Sequence, residues 1–557
     1  MKKILLLFIL LSTFLSWLNP FHYGIWVTAH SEFFMFFSLI ILFLYLFFTE
    51  KKIIFYHEDL FFLLIALIPI TQYIFGKIFF FGDAFITSVY ICSFVLVLAI
   101  GRTLAISVEQ REKSFILFAG VVIFSALVSF YAQLSQWFMF GKYIVFIAET
   151  PPNARPFANF SQPNTLATFY LLGVFSVVYL YEKSKINGLI TALLLTILIF
   201  GIALTQSRTP WVFLLSFIIW WSWKGVNLNS TKVKSLYVYI NSCIFILFTW
   251  LVPYLSGLLL LSAHSLEERI TGGMARLNMW QQMLIAISNQ PISGYGWQQV
   301  SNAQVATTLE FSHFEWTEHA HNILLDLLIW NGIPLGLVII IGIGIWISKF
   351  INVANTFENF WFLCAVGAII VHSMFEYPLE YAFFLIPTGF LLGLIQGSSQ
   401  SVPLVTLNKK SLLITLVCGV VIYIIVLADY IKLEKDMMLA RFEVLNIGDL
   451  HANHKAPDVI LLTQLQAKIA LMRTLPIANM SQVEQDRIYE MASRFATQGA
   501  LIKYAQVLAL NGDKKGAEDQ LLILKKMHGL NLDYDRLLQL NNQKSLIYKW
   551  QNKEISQ

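Results

Sequence analysis

The segment Glu318-His319-Ala320-His321-Asn322 puts two imidazoles, a carboxylate and an amide where a polar loop runs into an apolar stretch. Ionisable groups at a membrane boundary are costly to keep and imply a task. An imidazole titrating near pH 6.5 suits proton removal from a hydroxyl nucleophile, with a second histidine or Glu318 to orient it. Two other roles fit the same residues. A polar helix cap needs no chemistry at all. A zinc site would draw on Glu310 and Glu315, yet His319 and His321 would point to different faces of a helix and lack the compact spacing of a metal-hydrolase motif.

Four further clusters could meet a charged or sugar ligand. In Thr205-Gln206-Ser207-Arg208-Thr209-Pro210-Trp211, the planar fork of Arg208 suits a phosphate, against simple snorkelling to lipid head groups. In Arg155-Pro156-Phe157-Ala158-Asn159-Phe160-Ser161-Gln162-Pro163-Asn164, Pro163 predicts a helix start. Gln162 and Asn164 there can cap the helix or bind a polar ligand. The long loop carries Arg269 and Arg276, separated by Gly272-Gly273. The glycine pair predicts a helix beginning near Met274, which sets Arg276 in a first turn where an anion is favoured. The same loop holds Gly294-Tyr295-Gly296-Trp297, a turn able to floor a sugar site, and then His313. Farther on, His372, Glu376, Tyr377, Glu380 and Tyr381 form an acidic, aromatic turn suited to pairing with the arginines or to binding substrate.

These clusters need a scaffold, and the composition says which kind. Of 557 residues, 57% are hydrophobic and 13% charged, about half the charge of a soluble domain, so the chain is an integral membrane protein. The net charge of +5 comes from lysines and arginines beside apolar spans and does not indicate nucleic acid. Cys92, Cys243, Cys364 and Cys418 are scattered through apolar segments, without ligand or disulfide spacing. About thirteen apolar stretches are long enough for membrane helices: 4–18, 26–48, 60–76, 84–101, 114–138, 162–181, 187–204, 210–223, 235–262, 321–347, 360–376, 379–396 and 411–430. The first follows Met1-Lys2-Lys3 without a small-residue cleavage site and is expected to be retained.

Basic residues alternate between the loops. Lys2, Lys51, Arg102, Arg111, Lys183, Lys224, Lys349 and Lys409 all fall on one side, which predicts a cytoplasmic amino terminus. Loops 139–161 and 263–320 and everything after 431 are then periplasmic. The expected fold is an all-α polytopic membrane protein: a transmembrane domain over 1–431 and a helical periplasmic domain over 432–557. In the latter, the small residues from Tyr504 to Leu521 resemble one tetratricopeptide-type helix pair, or equally an ordinary helical hairpin.

In their order and shared expected face, the clusters resemble the bacterial O-antigen ligase and protein O-oligosaccharyltransferase superfamily (WaaL and PglL types, related to Wzy polymerases). The ligase-type signature is His-[Asn/Ser/Gln], nine residues, then Gly-x-x-[Gly/Thr/Tyr]. Here His321-Asn322 is followed by nine residues and Gly332, with Leu335 at the last position and Gly336 one step later. Ser207-Arg208-Thr209-Pro210-Trp211 resembles the superfamily's arginine motif. Phe160-Ser161-Gln162-Pro163-Asn164 and His372-Ser373-Met374-Phe375-Glu376-Tyr377-Pro378 resemble segments of the protein-glycosylating branch.

The resemblance covers residues 150–400 and implies a GT-C-related fold, an undecaprenyl-diphosphate-linked oligosaccharide donor, no cofactor and no metal. By motif position it makes His321 the general base and Arg208 and Arg276 the diphosphate clamp. Arg155, Gln162, Asn164, Gln206, Arg269, His319, Asn322, Glu376 and Tyr377 are then expected to bind substrate. The acceptor implied is serine or threonine of an exported protein, such as a pilin. Lipid A–core (a ligase) and a growing glycan (a polymerase) are the alternatives within the enzyme class. A non-enzymatic transporter or flippase would carry its charges within the spans, whereas these gather on one rim.

Overall fold

Inside a bilayer the backbone has no water to bond, so apolar stretches of this length must close their hydrogen bonds internally as helices. In the computed structural model every one of them falls on a helix. The structure describes residues 1–49, 52–151, 154–228, 231–259, 266–397, 404–445, 447 and 455–540, with backbone alone over 266–274. The chain opens with α1 (Lys2–Leu18), α2 (Ala29–Phe48), β1 (Ile53–Phe55), α3 (His57–Ile74), α4 (Phe81–Ala105), α5 (Val108–Trp137), α6 (Pro163–Glu182), α7 (Gly188–Leu204), α8 (Thr209–Trp223) and α9 (Ser235–Leu258). There follow α10 (Leu266–Asn289), α11 (Val300–Thr307), α12 (Ile323–Val353), α13 (Phe357–Ser373), α14 (Ala382–Gln396), β2 (Val405–Leu407) and α15 (Lys409–Val444). The tail holds α16 (Thr463–Arg473), α17 (Gln482–Arg494), α18 (Gln498–Leu510), α19 (Lys514–His528) and α20 (Tyr534–Leu540). The protein is thus an all-α polytopic membrane protein. Among the described residues, eight helices are long and apolar enough to cross a membrane, and α7, α13 and α14 are shorter apolar helices.

The chain folds into two compact units. The first comprises Met1–Leu64, Tyr90–Arg269 and Gly342–Tyr423. Among its long apolar helices α6 is the most enclosed, its apolar window 83% buried against 17% for α9. Around α6 lie α5, α7, α8 and α13. Aromatic rings fill the gaps: Phe115 stacks on Phe362 at 4.3 Å, and Trp361 lies between Phe175 and Trp221.

One end of this unit collects its charges. Arg102 forms a buried ion pair with Asp59 under the Tyr56 ring. Arg111 bonds Asn359 and the Leu394 carbonyl. Lys183 bridges Glu112 and Glu358 at 3.3 and 2.9 Å, and Lys349 meets Glu58 at 2.6 Å. The antiparallel pair β1–β2 lies among the same helix ends. These bonds join the starts of α3, α5 and α13 to the ends of α4, α6, α12 and α14. They are the ends that the alternation of basic residues assigns to one side.

The second unit comprises Ile65–Val89, Ile270–Ile341 and Ile424–Gln557. Its core joins Val305 of α11 to Leu501, Ile502, Ala505 and Leu508 of α18 and to Ala517, Leu521 and Leu524 of α19. The hairpin expected over Tyr504–Leu521 is α18–α19. Gly512 supplies the left-handed turn (φ +91°) and Asp513 caps α19 through Gly516 N at 2.8 Å. Asp429 of α15 accepts the backbone N–H groups of Ile460, Leu461 and Leu462, tying down the chain that enters α16.

Candidate active site

In the first unit the turn from α7 into α8 sets Arg208 at a helix start. Gln206 sits at φ +51°, a conformation a non-glycine side chain holds under strain, and such strain collects at functional sites. Thr205 steadies the turn by accepting Ser207 N at 3.2 Å. Arg208 then occupies the N-cap of α8 with an exposed side chain, no side-chain cap, and proline in the first turn. The first N–H groups of a helix lack intrahelical acceptors and carry its positive dipole end. Arg155 donates to the Gln206 carbonyl at 3.3 Å, so two guanidiniums belong to one helix start.

The start of α6 lies against the end of α13. Gln162 is the N-cap and accepts from the Thr165 hydroxyl at 3.3 Å. Asn164 donates to Glu376 at 3.0 Å, both buried, and the Thr168 hydroxyl meets His372 Nδ1 at 3.0 Å. Tyr377 packs on Tyr381, ring centres 5.8 Å apart. This pair of contacts makes Asn164 and Glu376 supports of the α6 start.

In the second unit α10 is continuous from Leu266, which corrects the helix start expected at Met274. Two interior glycines cost roughly 1 kcal/mol each, and the buried face of Met279, Met283, Ala286 and Ile287 holds the helix in place. Arg276 therefore sits mid-helix, away from any dipole end. The side chain of Arg269 lies outside the described residues. One turn beyond Arg276, Trp280 donates its indole N–H to the Ala320 carbonyl at 2.9 Å, which sets Arg276 on the helix face nearest the residue before His321.

The 313–322 loop is bonded along its length. Two fully buried glutamines carry it. Gln282 bonds His313 Nδ1 at 2.7 Å, and Gln304 bonds the Glu315 carbonyl at 2.8 Å and Thr317 N at 3.0 Å. Thr317 bonds the His319 carbonyl, and Asp326 accepts Ala320 N at 2.7 Å. His321 itself is half-buried at φ +50°, a strained backbone that Gln206 shares. Asn322 accepts Leu324 N and Leu325 N and is thus the N-cap of α12, the bland role that its type allows.

That first piece of α12 ends at Gly332, where φ is +72° and ψ 174°. The chain there runs beside the turn after α10: Ile333 N donates to Pro291 O, Tyr295 N to Ile329 O and Gly296 N to Trp330 O, at 2.7 to 3.1 Å. A Cβ at 332 would lie 2.4 Å from the Ile292 carbonyl. The turn expected to floor a sugar site is instead packing. Trp297 is buried, stacked on Trp330 at 4.5 Å, and bonded to Asn331 at 2.9 Å. Gln72 accepts Trp297 N and donates to the Trp330 carbonyl, replacing helix bonds that the break removes.

Comparison with known proteins bears on both units. Residues 190–341 match the O-antigen ligase family, and 360–534 match the family described as virulence factor membrane-bound polymerase, C-terminal. The "General O-oligosaccharyltransferase" of Acinetobacter baylyi is 32% identical over 97% of this chain and 95% of its own length. The chain belongs to the protein O-oligosaccharyltransferases of the O-antigen ligase family. A second relative from the same organism, a "ComP-specific O-oligosaccharyltransferase", is 31% identical over 67% of this chain and 68% of its own. As a member of this family the protein is a glycosyltransferase, which removes the transporter alternative.

For this oligosaccharyltransferase the signature glycine has a physical meaning: it is where α12 opens to admit the 291–296 turn. At the signature's last position Leu335 is exposed, and at the following Gly336 a Cβ would stand 3.0 Å from the Leu327 carbonyl. Gln72, Trp280, Gln282 and Gln304 escaped sequence reasoning. Each satisfies a polar group from another segment, and a glutamine or tryptophan on its own carries no local signal of that.

His313 also emerges with a defined state. Burial, and then the neighbouring His321, push its pKa down to about 4 from 6.5. Between those values the unfolded chain takes up a proton that the folded chain refuses. Stability is therefore complete above pH 6.5 and declines as the pH falls towards 4, by about 2 kcal/mol between pH 7 and pH 5. Thermal melts of detergent-solubilised enzyme should show a smaller loss over that interval in His313→Gln, which keeps a neutral polar group beside Gln282. Equal losses in the two proteins would contradict it.

Proposed function

We propose that the protein moves a preassembled oligosaccharide en bloc from undecaprenyl diphosphate to serine or threonine hydroxyls of exported proteins. The site faces the periplasm from the inner membrane, with the amino terminus in the cytoplasm. The gathering of cytoplasm-assigned helix ends in the first unit supports this sidedness. The observation that carries the reading is the start of α8, where Arg208 and Arg155 attend an uncapped helix N-terminus, a geometry suited to a diphosphate.

In the step proposed, the acceptor oxygen attacks the anomeric carbon and the bond from that carbon to the diphosphate oxygen breaks. His321 takes the hydroxyl proton, and undecaprenyl diphosphate leaves with the bonding electrons. Arg208 and Arg276 offset the charge it acquires. Arg155 and Gln206 shape the Arg208 turn, Gln162 at the α6 start is proposed to contact the substrate, and Asn164 and Glu376 hold that start in place. His319 and Asn322 set the loop around the base, while Arg269 and Tyr377 are proposed as outer contacts to the glycan.

Reconstitution with lipid-linked oligosaccharide and an exported acceptor such as a pilin tests the reading. Mass spectrometry should find the intact glycan mass on a serine- or threonine-containing peptide. Glycan appearing on lipid A–core, with the protein unmodified, would overturn the assignment of the acceptor.

A further inference from the structure

The last residue of α17, Arg494, is 6% exposed and bonds in three directions. Nε and Nη2 donate to Asp83 Oδ2 and Oδ1 at 2.9 and 3.0 Å, and Nη1 donates to Glu318 Oε1 at 3.0 Å. Burial pulls a guanidinium pKa down, yet here the two carboxylates outweigh it and hold Arg494 charged. Asp83 alone would neutralise it, so the third bond does something else: it reaches the loop three residues before His321. Lys468 of α16 also faces Glu318, and its ammonium lies over Phe495 at 5.3 Å.

Other bonds from the tail end on the same loop and the segment before it. Ser301 donates to the Ser493 carbonyl at 2.7 Å and accepts from Trp316 Nε1 at 2.7 Å. Glu315 N donates to the Met527 carbonyl at 2.9 Å from a backbone at φ +101°. Lys526 donates to the Leu309 carbonyl at 2.7 Å. Among these, Arg494–Glu318 is the contact nearest the predicted base and the one with a full charge on each side.

We propose that Arg494 is a positioning residue: through Glu318 it sets the backbone of residues 317–322 and so the direction of the His321 imidazole. The tail is then part of the catalytic machinery. The catalytic half of this inference rests on His321 being the base; the hold on the loop does not.

The full-length purified enzyme tests both halves. Glu318→Gln removes the loop charge and leaves the Asp83–Arg494 pair, so the tail stays docked and the melting temperature unchanged. Arg494→Lys keeps the cation beside Asp83 but loses the fork. In both, amide hydrogen exchange across 313–322 should quicken roughly tenfold or more. The turnover number should fall about ten- to a hundredfold, with KM for the lipid-linked donor within about twofold. Unchanged exchange with lost turnover would mean that Glu318 acts directly on the reaction, and would overturn the proposal. Faster exchange with normal turnover would overturn it as well. Normal turnover in His321→Ala would sink the base reading alone, since loop exchange reports on Arg494 whichever residue takes the proton.

Discussion

His321→Ala should lower oligosaccharide transfer by about 10²- to 10⁴-fold, the span expected for losing a general base. Expression, membrane insertion and donor binding should survive. The loop does not depend on this imidazole for its path, because Trp280, Asp326, Gln304 and Thr317 bond neighbouring backbone atoms. At φ +50° an alanine also carries a left-handed backbone penalty of roughly 1–2 kcal/mol. His321→Asn is the better control, since asparagine tolerates that conformation while lacking a base of suitable pKa. Both variants should be equally inactive, with the asparagine form melting closer to wild type. Single-turnover assays with saturating donor and acceptor make the measurement, and near-normal rates in the asparagine variant would remove His321 from its assigned role.

Arg208→Ala comes next in size, at about 10²- to 10³-fold in turnover, comparable to losing one preorganised donor to a developing oxyanion. Charge on the diphosphate grows as the glycosidic bond breaks, so the defect should appear in turnover more than in KM. Arg208→Lys should recover part of the loss, because a point charge remains at the helix start while the two-pronged geometry does not. Arg155→Ala should cost less than Arg208→Ala, since its guanidinium is already engaged with the Gln206 carbonyl while Arg208 stands at the N-cap of α8 itself. Equal defects in Arg155→Ala and Arg208→Ala would move the centre of the anion site away from the α8 N-cap. Normal turnover in Arg208→Ala would sink the clamp.

Helix positions were legible from apolar length because a bilayer leaves the backbone no other way to satisfy its hydrogen bonds. The charged helix ends were legible for a related reason: Lys183 and Arg102 stand at span boundaries, and the structure shows them pairing with Glu112, Glu358 and Asp59 at one end of the first unit. His321 and Gly332 were legible as a spacing. Their backbone conformations, both left-handed, come from tertiary contacts: the Trp280 and Asp326 bonds on one side and the approach of residues 291–296 on the other.

The proposed anion site shows most plainly where local reading ends. Gly272-Gly273 argued for a helix start that would give Arg276 a dipole to work with. A glycine's preference is small beside the packing of Met279, Met283 and Ile287, so α10 runs through, and the helix start with two arginines lies at Arg208. Trp297 belongs to a turn read as able to floor a sugar site, and its ring is stacked on Trp330 beside a helix break. Residue type and spacing state what a side chain is able to do. Whether it faces a ligand or fills a core depends on segments hundreds of residues away, and that was decided by the fold.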